Sequence, residues 1–163
     1  MKHLPALLAL IICALFLSTI PALAQSRYVA TTGDVSLSGA TTAFTIQQPA
    51  ANGAQVQLIT AVIYCSVACD ITQAQNGTAA TATTGTATAI MPIGPAARAT
   101  VWTASNVGGG TSIGGLLHLS AGERITLDLS SISLGNGGTG TNYTIAVSSI
   151  TGTANIALFW SER

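Results

Sequence analysis

Lysine is confined to position 2, and only 6% of the chain is charged. After residue 24 the cations are Arg27, Arg98, Arg124 and Arg163, set against Asp34, Asp70, Glu123, Asp128 and Glu162, a balance of −1. A surface this poor in cations cannot neutralise a run of phosphates, which argues against nucleic acid and anionic membrane as partners. Histidine is as scarce: after His3 only His118 remains, too little for a histidine-based metal centre. The five acids are scattered with no D-x-D-x-D run, so only loop carbonyls could hold calcium. There is no phosphate-cradling loop and no cofactor signature. From Gln25 onward no amphipathic helix of useful length is found either. Short apolar stretches alternate with Gly, Thr, Ser and Asn clusters, the pattern of an all-β sandwich or barrel.

Residues 1–24 read as a secretory signal peptide. Lys2 and His3 make a basic start, Leu4–Ile20 is an apolar core, and Ala22-Leu23-Ala24 offers a small-x-small cleavage site before Gln25. A signal-peptide helix is therefore expected here, cleaved without leaving a membrane anchor. Cys13 follows Ile12, not the small residue that lipidation would want. The destination is the periplasm, the cell surface or the medium. Removing 24 of 163 residues leaves 139, enough for one domain with one core over 25–163. Low net charge with many apolar residues favours association, so a homo-oligomer or another surface protein is the expected partner.

The stretch Ala54–Gly77 organises the rest. Its apolar run Leu58–Tyr64, broken only by Thr60, is rich in β-branched and aromatic residues that suit a pleated surface. Such a strand should sit centrally. Cys65 and Cys69 follow, separated by three residues. In an exported chain a disulfide is the default for this pair. A straight strand would hold the two roughly 13 Å apart, beyond the ~7 Å limit for bridging. The chain should therefore reverse at Ser66-Val67-Ala68 and make residues 54–77 a stapled hairpin. So small a loop contributes about 2 kcal/mol before strain.

Other strands follow from alternation. Ser26–Thr32 and Val35–Ser38 suggest a short pair joined at Gly33-Asp34, and Thr42, Phe44 and Ile46 share one face of the next strand. The Thr/Ala/Gly tract Thr78–Ala89 reads as a linker, as two weak flat strands or as a long surface loop. Ala99, Val101 and Thr103 alternate with Thr100, Trp102 and Ala104, and Asn106–Gly115 should be a loop or irregular edge. Ile125, Leu127 and Leu129 face inward while Arg124, Thr126 and Asp128 face out; Tyr143, Ile145 and Val147 form another inward row. The last strand puts Ile156, Leu158 and Trp160 on one face and Asn155, Ala157 and Phe159 on the other. Eight to ten such strands suit a two-sheet antiparallel β-sandwich of the jelly-roll kind.

Few residues invite chemistry. Gly110-Thr111-Ser112-Ile113-Gly114 fits the G-x-S-x-G nucleophile elbow, with His118 as base and Asp128 to orient it across a hairpin. No helix follows the motif, and chance explains it better in a chain so rich in Gly and Ser. A hydrolase centred on Ser112 is a remote reading, and the protein is expected not to be an enzyme. Glu123 reads as a solvated turn acid. Asn76-Gly77-Thr78 and Asn142-Tyr143-Thr144 are formal glycosylation sequons, more simply a turn and a strand start. Trp160 reads as core, whereas Trp102 and Phe159 are the candidates for a surface or interface, with a glycan as their alternative ligand.

The segments IYCSVACDITQAQNGTAAT (63–81), LHLSAGERITLDLS (117–130), GTGTNYTI (138–145) and IALFWSER (156–163) resemble small jelly-roll proteins of bacteriophage virions and their bacterial relatives. The likeness spans most of Ala43–Arg163 and rests on turns and strand rows. It implies a structural or decorating role, oligomeric, with no active site to carry over. Virion proteins assembled in the cytoplasm carry no signal peptide, so the leader points to an exported surface or appendage protein of similar fold.

Overall fold

The computed structural model describes residues 25–37, 42–48, 55–75, 78–84, 88–90, 95–108, 110–135 and 142–163. The expected signal segment 1–24, the Asn76-Gly77 turn and residues 136–141 of the glycine-rich loop lie outside them.

Among the described residues the chain is all strand and connection, with no helix, and it forms two antiparallel sheets. The first sheet holds β1 (Ser26–Thr31), β2 (Val35–Ser36), β4 (Val56–Cys65), β7 (Thr88–Ala89), β11 (Arg124–Asp128), β12 (Ser133–Leu134) and β14 (Thr153–Glu162). Its order is β11-β4-β14-β1-β7, with β12 beside β4 and β2 beside β14. The second holds β3 (Thr42–Gln47), β5 (Cys69–Gln75), β6 (Thr78–Thr84), β8 (Thr100–Gly108), β9 (Thr111–Ser112), β10 (Leu117–Leu119) and β13 (Asn142–Ser148). Its order is β10-β5-β13-β3-β8-β6, with β9 beside β5.

The inward rows of both sheets meet in one core. From the first come Leu58, Ala61, Ile63, Ile156, Leu158 and Trp160; from the second come Phe44, Ile46, Ile71, Tyr143, Ile145 and Val147. Trp160 stacks on Tyr28 with ring centroids 5.7 Å apart. Alternation holds because β-strand side chains point to opposite faces in turn, and only one face of each sheet meets the other. It slips in β4, where the register against β14 shifts between Phe159 and Trp160 and leaves Ile59 and Thr60 both half-buried, and burial is continuous over Asn142–Ile145 of β13 and Trp160–Glu162 of β14.

Two sequence expectations need correction. Residues 54–77 are not a hairpin: β4 belongs to the first sheet and β5 to the second, and they do not pair. Both edges of β4 are already taken, by β11 and β12 on one side and β14 on the other. The chain therefore crosses the core at Ser66-Val67-Ala68. The Cys65–Cys69 disulfide clips that crossing, with Cα atoms 6.3 Å apart. Next, β1 and β2 do not pair with each other. They run in succession along the same edge of β14, interrupted at Thr32–Asp34, where Thr32 stays bonded to Ile156 through both its amide and its hydroxyl. The Thr/Ala tract does form two strands, but β6 joins β8 in one sheet and β7 joins β1 in the other. Within the stretch expected to be a loop or an irregular edge, Asn106–Gly108 continue β8 and Thr111–Ser112 form the two-residue β9 beside β5.

Candidate functional site

Strand pairing separates the residues of the hydrolase reading. On β5, Ser112 lies opposite Ala74 and His118 opposite Asp70, four residues apart or roughly 13 Å along the strand. No helix follows Ser112, which leads toward β10. The carboxylate that meets His118 is Asp70, at 2.5 Å from Nδ1 on the open surface. Asp128 sits in the other sheet, so it cannot orient the imidazole as the sequence suggested. Its Oδ1 accepts the Ser130 amide instead, at 2.9 Å, and that bond, with the Ser130 hydroxyl, holds the carboxyl below the ordinary aspartate range. Ser112, His118 and Asp128 do not form a constellation. Glu123 caps its own turn, accepting the Ser120 amide at 2.8 Å.

Trp102 and Phe159 are both half-buried, and they lie on opposite sheets. Trp102 lies opposite Thr45, whose neighbour across β13 is Thr144, while Phe159 lies opposite Thr60 of β4. Both outward rows face away from the shared core. The two aromatics therefore cannot act as one platform. Asn142, the second sequon, is 5% exposed at the start of β13, out of reach of glycan attachment in the folded domain.

Around Phe159 the outer face of the first sheet sinks into an open groove with a volume of about 370 Å³. Strand register explains its shape. Val62 of β4 and Ala157 of β14 lie side by side as a low apolar floor. Larger side chains rise at the ends, Tyr64 on β4 and Phe159 on β14. Beside Tyr64 stands a row of polar groups, with Arg124 opposite it on β11 and Asn155 opposite it on β14. Asp34, at the bend between β1 and β2, closes the row: its Oδ1 accepts Asn155 Nδ2–H at 3.1 Å. Asn155 Oδ1 in turn accepts the Thr31 hydroxyl at 3.0 Å, which fixes the amide's orientation. Among the described residues no carboxylate lies within ion-pair distance of the Arg124 guanidinium. Asp34 and Arg124 thus face one hollow from opposite sides without neutralising each other.

Of this groove only Phe159 is a candidate from the sequence. Tyr64 and Val62 stood in the apolar run, Asn155 and Ala157 shared the outward face with Phe159, and Arg124 belonged to an outward row. Nothing local linked β4, β11 and β14. Nothing in the sequence gives Glu162 a role beyond being one of five scattered acids. It is 6% exposed, and its carboxylate accepts the amides of Arg98 (2.8 Å) and Ala99 (3.0 Å) and the indole N–H of Trp160 (3.0 Å). Tyr143 is buried in the core with its hydroxyl donating to Gln73 Oε1 at 2.7 Å, and burial raises its pKa above the ordinary phenol value.

Among the described residues no three His, Cys, Asp or Glu side chains gather as a metal site. No protein-family model, curated protein or solved structure matches this chain.

Proposed function

We infer that this chain is an exported, non-enzymatic β-sandwich of jelly-roll type that serves as a subunit of an extracellular or envelope assembly. The jelly-roll reading rests on nested pairing. A jelly roll is a long antiparallel hairpin rolled up, so its first strand pairs with its eighth, second with seventh, third with sixth and fourth with fifth. Counting β1, β3, β4, β5, β10, β11, β13 and β14 as the eight, the pairs β1·β14, β3·β13, β4·β11 and β5·β10 are all present. Strands β6–β9 are then an insertion between the fourth and fifth, and the two-residue strands β2 and β12 are short additions beside β14 and β4. A role in virion-like or appendage architecture, as the sequence likeness implies, fits such a frame.

One observation carries the assembly role: β6 ends the second sheet, and its sequence TAATATT has neither charge nor proline. The other sheet edges are blunted, because β7 has two residues, β11 carries Arg124 and Asp128, and β10 carries His118. Edges are normally protected by such shortness or charge. The register shift between Ala80 and Ala82 bends β6 but leaves its outer backbone row without a partner strand among the described residues. That row can pair with another subunit by strand addition. Size-exclusion chromatography with light scattering tests the reading. The purified chain should run as an oligomer that Thr81→Lys combined with Thr83→Lys converts to monomer. A monomer at all concentrations before mutation overturns it.

A further inference from the structure

We propose that the groove on the outer face of the first sheet binds an acidic saccharide, its uronate carboxylate on Arg124 and its ring hydroxyls on Asp34 and Asn155. This goes beyond the assembly reading and does not rest on it, because β6 lies in the other sheet.

Each part of the groove limits what can occupy it. The floor of Val62 and Ala157 is apolar and low, with Phe159 rising at one end and Tyr64 at the other. Such a surface favours a flat, partly apolar body, and the C–H face of a pyranose ring is one. The volume of about 370 Å³ lies at the small end of ligand sites, suited to one or two sugar rings and not to a protein domain. A purely apolar ligand would take Arg124, Asp34 and Asn155 from water and return nothing to them.

The polar row narrows the class further. Arg124 has no carboxylate partner among the described residues, and its guanidinium can match one in a planar, two-point contact. On its other side Asp34 and Asn155 are already joined, so an acceptor oxygen and a donor N–H stand side by side in fixed orientation. Adjacent hydroxyls, each donor and acceptor, complement that pair. Arg124 and Asn155 flank Tyr64 one strand away on either side, so they stand about 10 Å apart at the backbone. A ligand must therefore carry its anionic group at one end and its hydroxyls at the other. A simple anion would leave the Asp34 end idle, and a neutral sugar would leave Arg124 idle. An added peptide strand is excluded by the sheet itself, since the backbones of β4 and β14 are paired on both sides.

The test is an NMR titration of the purified, isotope-labelled chain with glucuronic acid, glucose, sodium acetate and a trisaccharide of galacturonic acid. Glucuronic acid should shift the Asn155 side-chain amide and bind at least about tenfold more tightly than glucose or acetate, as one charged contact predicts. A tighter galacturonate trisaccharide would identify a polymer as the source; equal affinity would identify a free or terminal sugar. Arg124→Gln should bring glucuronic acid down to the level of glucose, while Phe159→Ala should weaken both sugars about five- to tenfold. Trp102→Ala, on the opposite sheet, should change neither. Thermal unfolding of each variant shows that it is folded. Equal binding of glucuronic acid and glucose, no binding of either, or glucuronate binding indifferent to Arg124 and Phe159 overturns the proposal. If the oligomer forms but no sugar binds, the saccharide site alone is lost; if sugar binds to a monomer, the assembly role alone is lost.

Discussion

Glu162 accepts the indole N–H of Trp160, two residues earlier on the same strand, at 3.0 Å, and both side chains point into the core. The same carboxylate holds the amides of Arg98 and Ala99, so the end of β14 in one sheet fastens the entry to β8 in the other. Tyr28, stacked on Trp160, adds a hydroxyl bond to the Pro95 carbonyl at 2.9 Å. A chain with few charges thus uses one of them, buried, to bind the segment 95–99 to the sandwich.

Glu162→Gln keeps the shape but turns one acceptor oxygen into a donor NH₂ facing an N–H. Leaving a buried donor unsatisfied costs about 1–3 kcal/mol, with charged acceptors at the upper end. Urea unfolding should show a loss of about 2–3 kcal/mol, whereas Glu123→Gln, at an exposed turn, should lose under about 1 kcal/mol. Equal losses would mean that the three bonds to Glu162 contribute little.

The disulfide closes a loop with only three residues inside it but joins two sheets. Chain-entropy reasoning gives about 2 kcal/mol for so short a loop. Cys65→Ala with Cys69→Ala should therefore lower stability by about 2 kcal/mol and leave the domain folded, as read by urea unfolding and far-ultraviolet circular dichroism. Complete unfolding of the double variant at 25 °C would show that the crossing depends on the bond.

Gly152 passes under the same corner with φ +95°, and a Cβ there would lie 2.4 Å from Cγ2 of Val67. Gly152→Ala meets both a strained backbone and an overlap, which together should cost about 2–4 kcal/mol. Adding Val67→Ala removes the closest overlap but leaves the strain and the Ser66 Oγ contact at 3.0 Å, so the double variant should recover part of the loss. A calorimetric comparison of the two melting temperatures decides it: no recovery would assign the effect to the backbone and the Ser66 contact, not to Val67.

Tyr143 gives the fold an alkaline limit. Its phenol keeps its proton in the native core above the pH at which the unfolded chain, near pH 10, gives it up. The native state then binds more protons, so this contribution is complete below about pH 10 and is lost as pH rises towards the folded-state value. Between pH 10 and 11 stability should fall up to about 1.4 kcal/mol more steeply than in Tyr143→Phe. Urea unfolding at stepped pH checks this, and parallel slopes for the two proteins would refute it. At neutral pH the variant should be weaker by about 1 kcal/mol through loss of the Gln73 bond.

Local sequence settles which face of many strands turns inward. Phe44 and Ile46, Tyr143 through Val147 in alternation, and Ile156, Leu158 and Trp160 are buried as their period of two required. It also pointed to the Cys65–Cys69 bond and kept Trp160 in the core. Alternation is a local property of the pleated backbone, so it survives in one dimension. Partner choice does not. Whether β5 turns back on β4 or crosses to the opposite sheet depends on β11 and β14, which lie far along the chain and occupy both edges of β4. Only that tertiary arrangement converts the expected hairpin into a crossing, brings Asp34, Tyr64, Arg124, Asn155 and Phe159 around one groove, and gives Glu162 its three donors. The physical reason is that cross-strand neighbours are fixed by register between distant segments, and no short stretch of sequence encodes them.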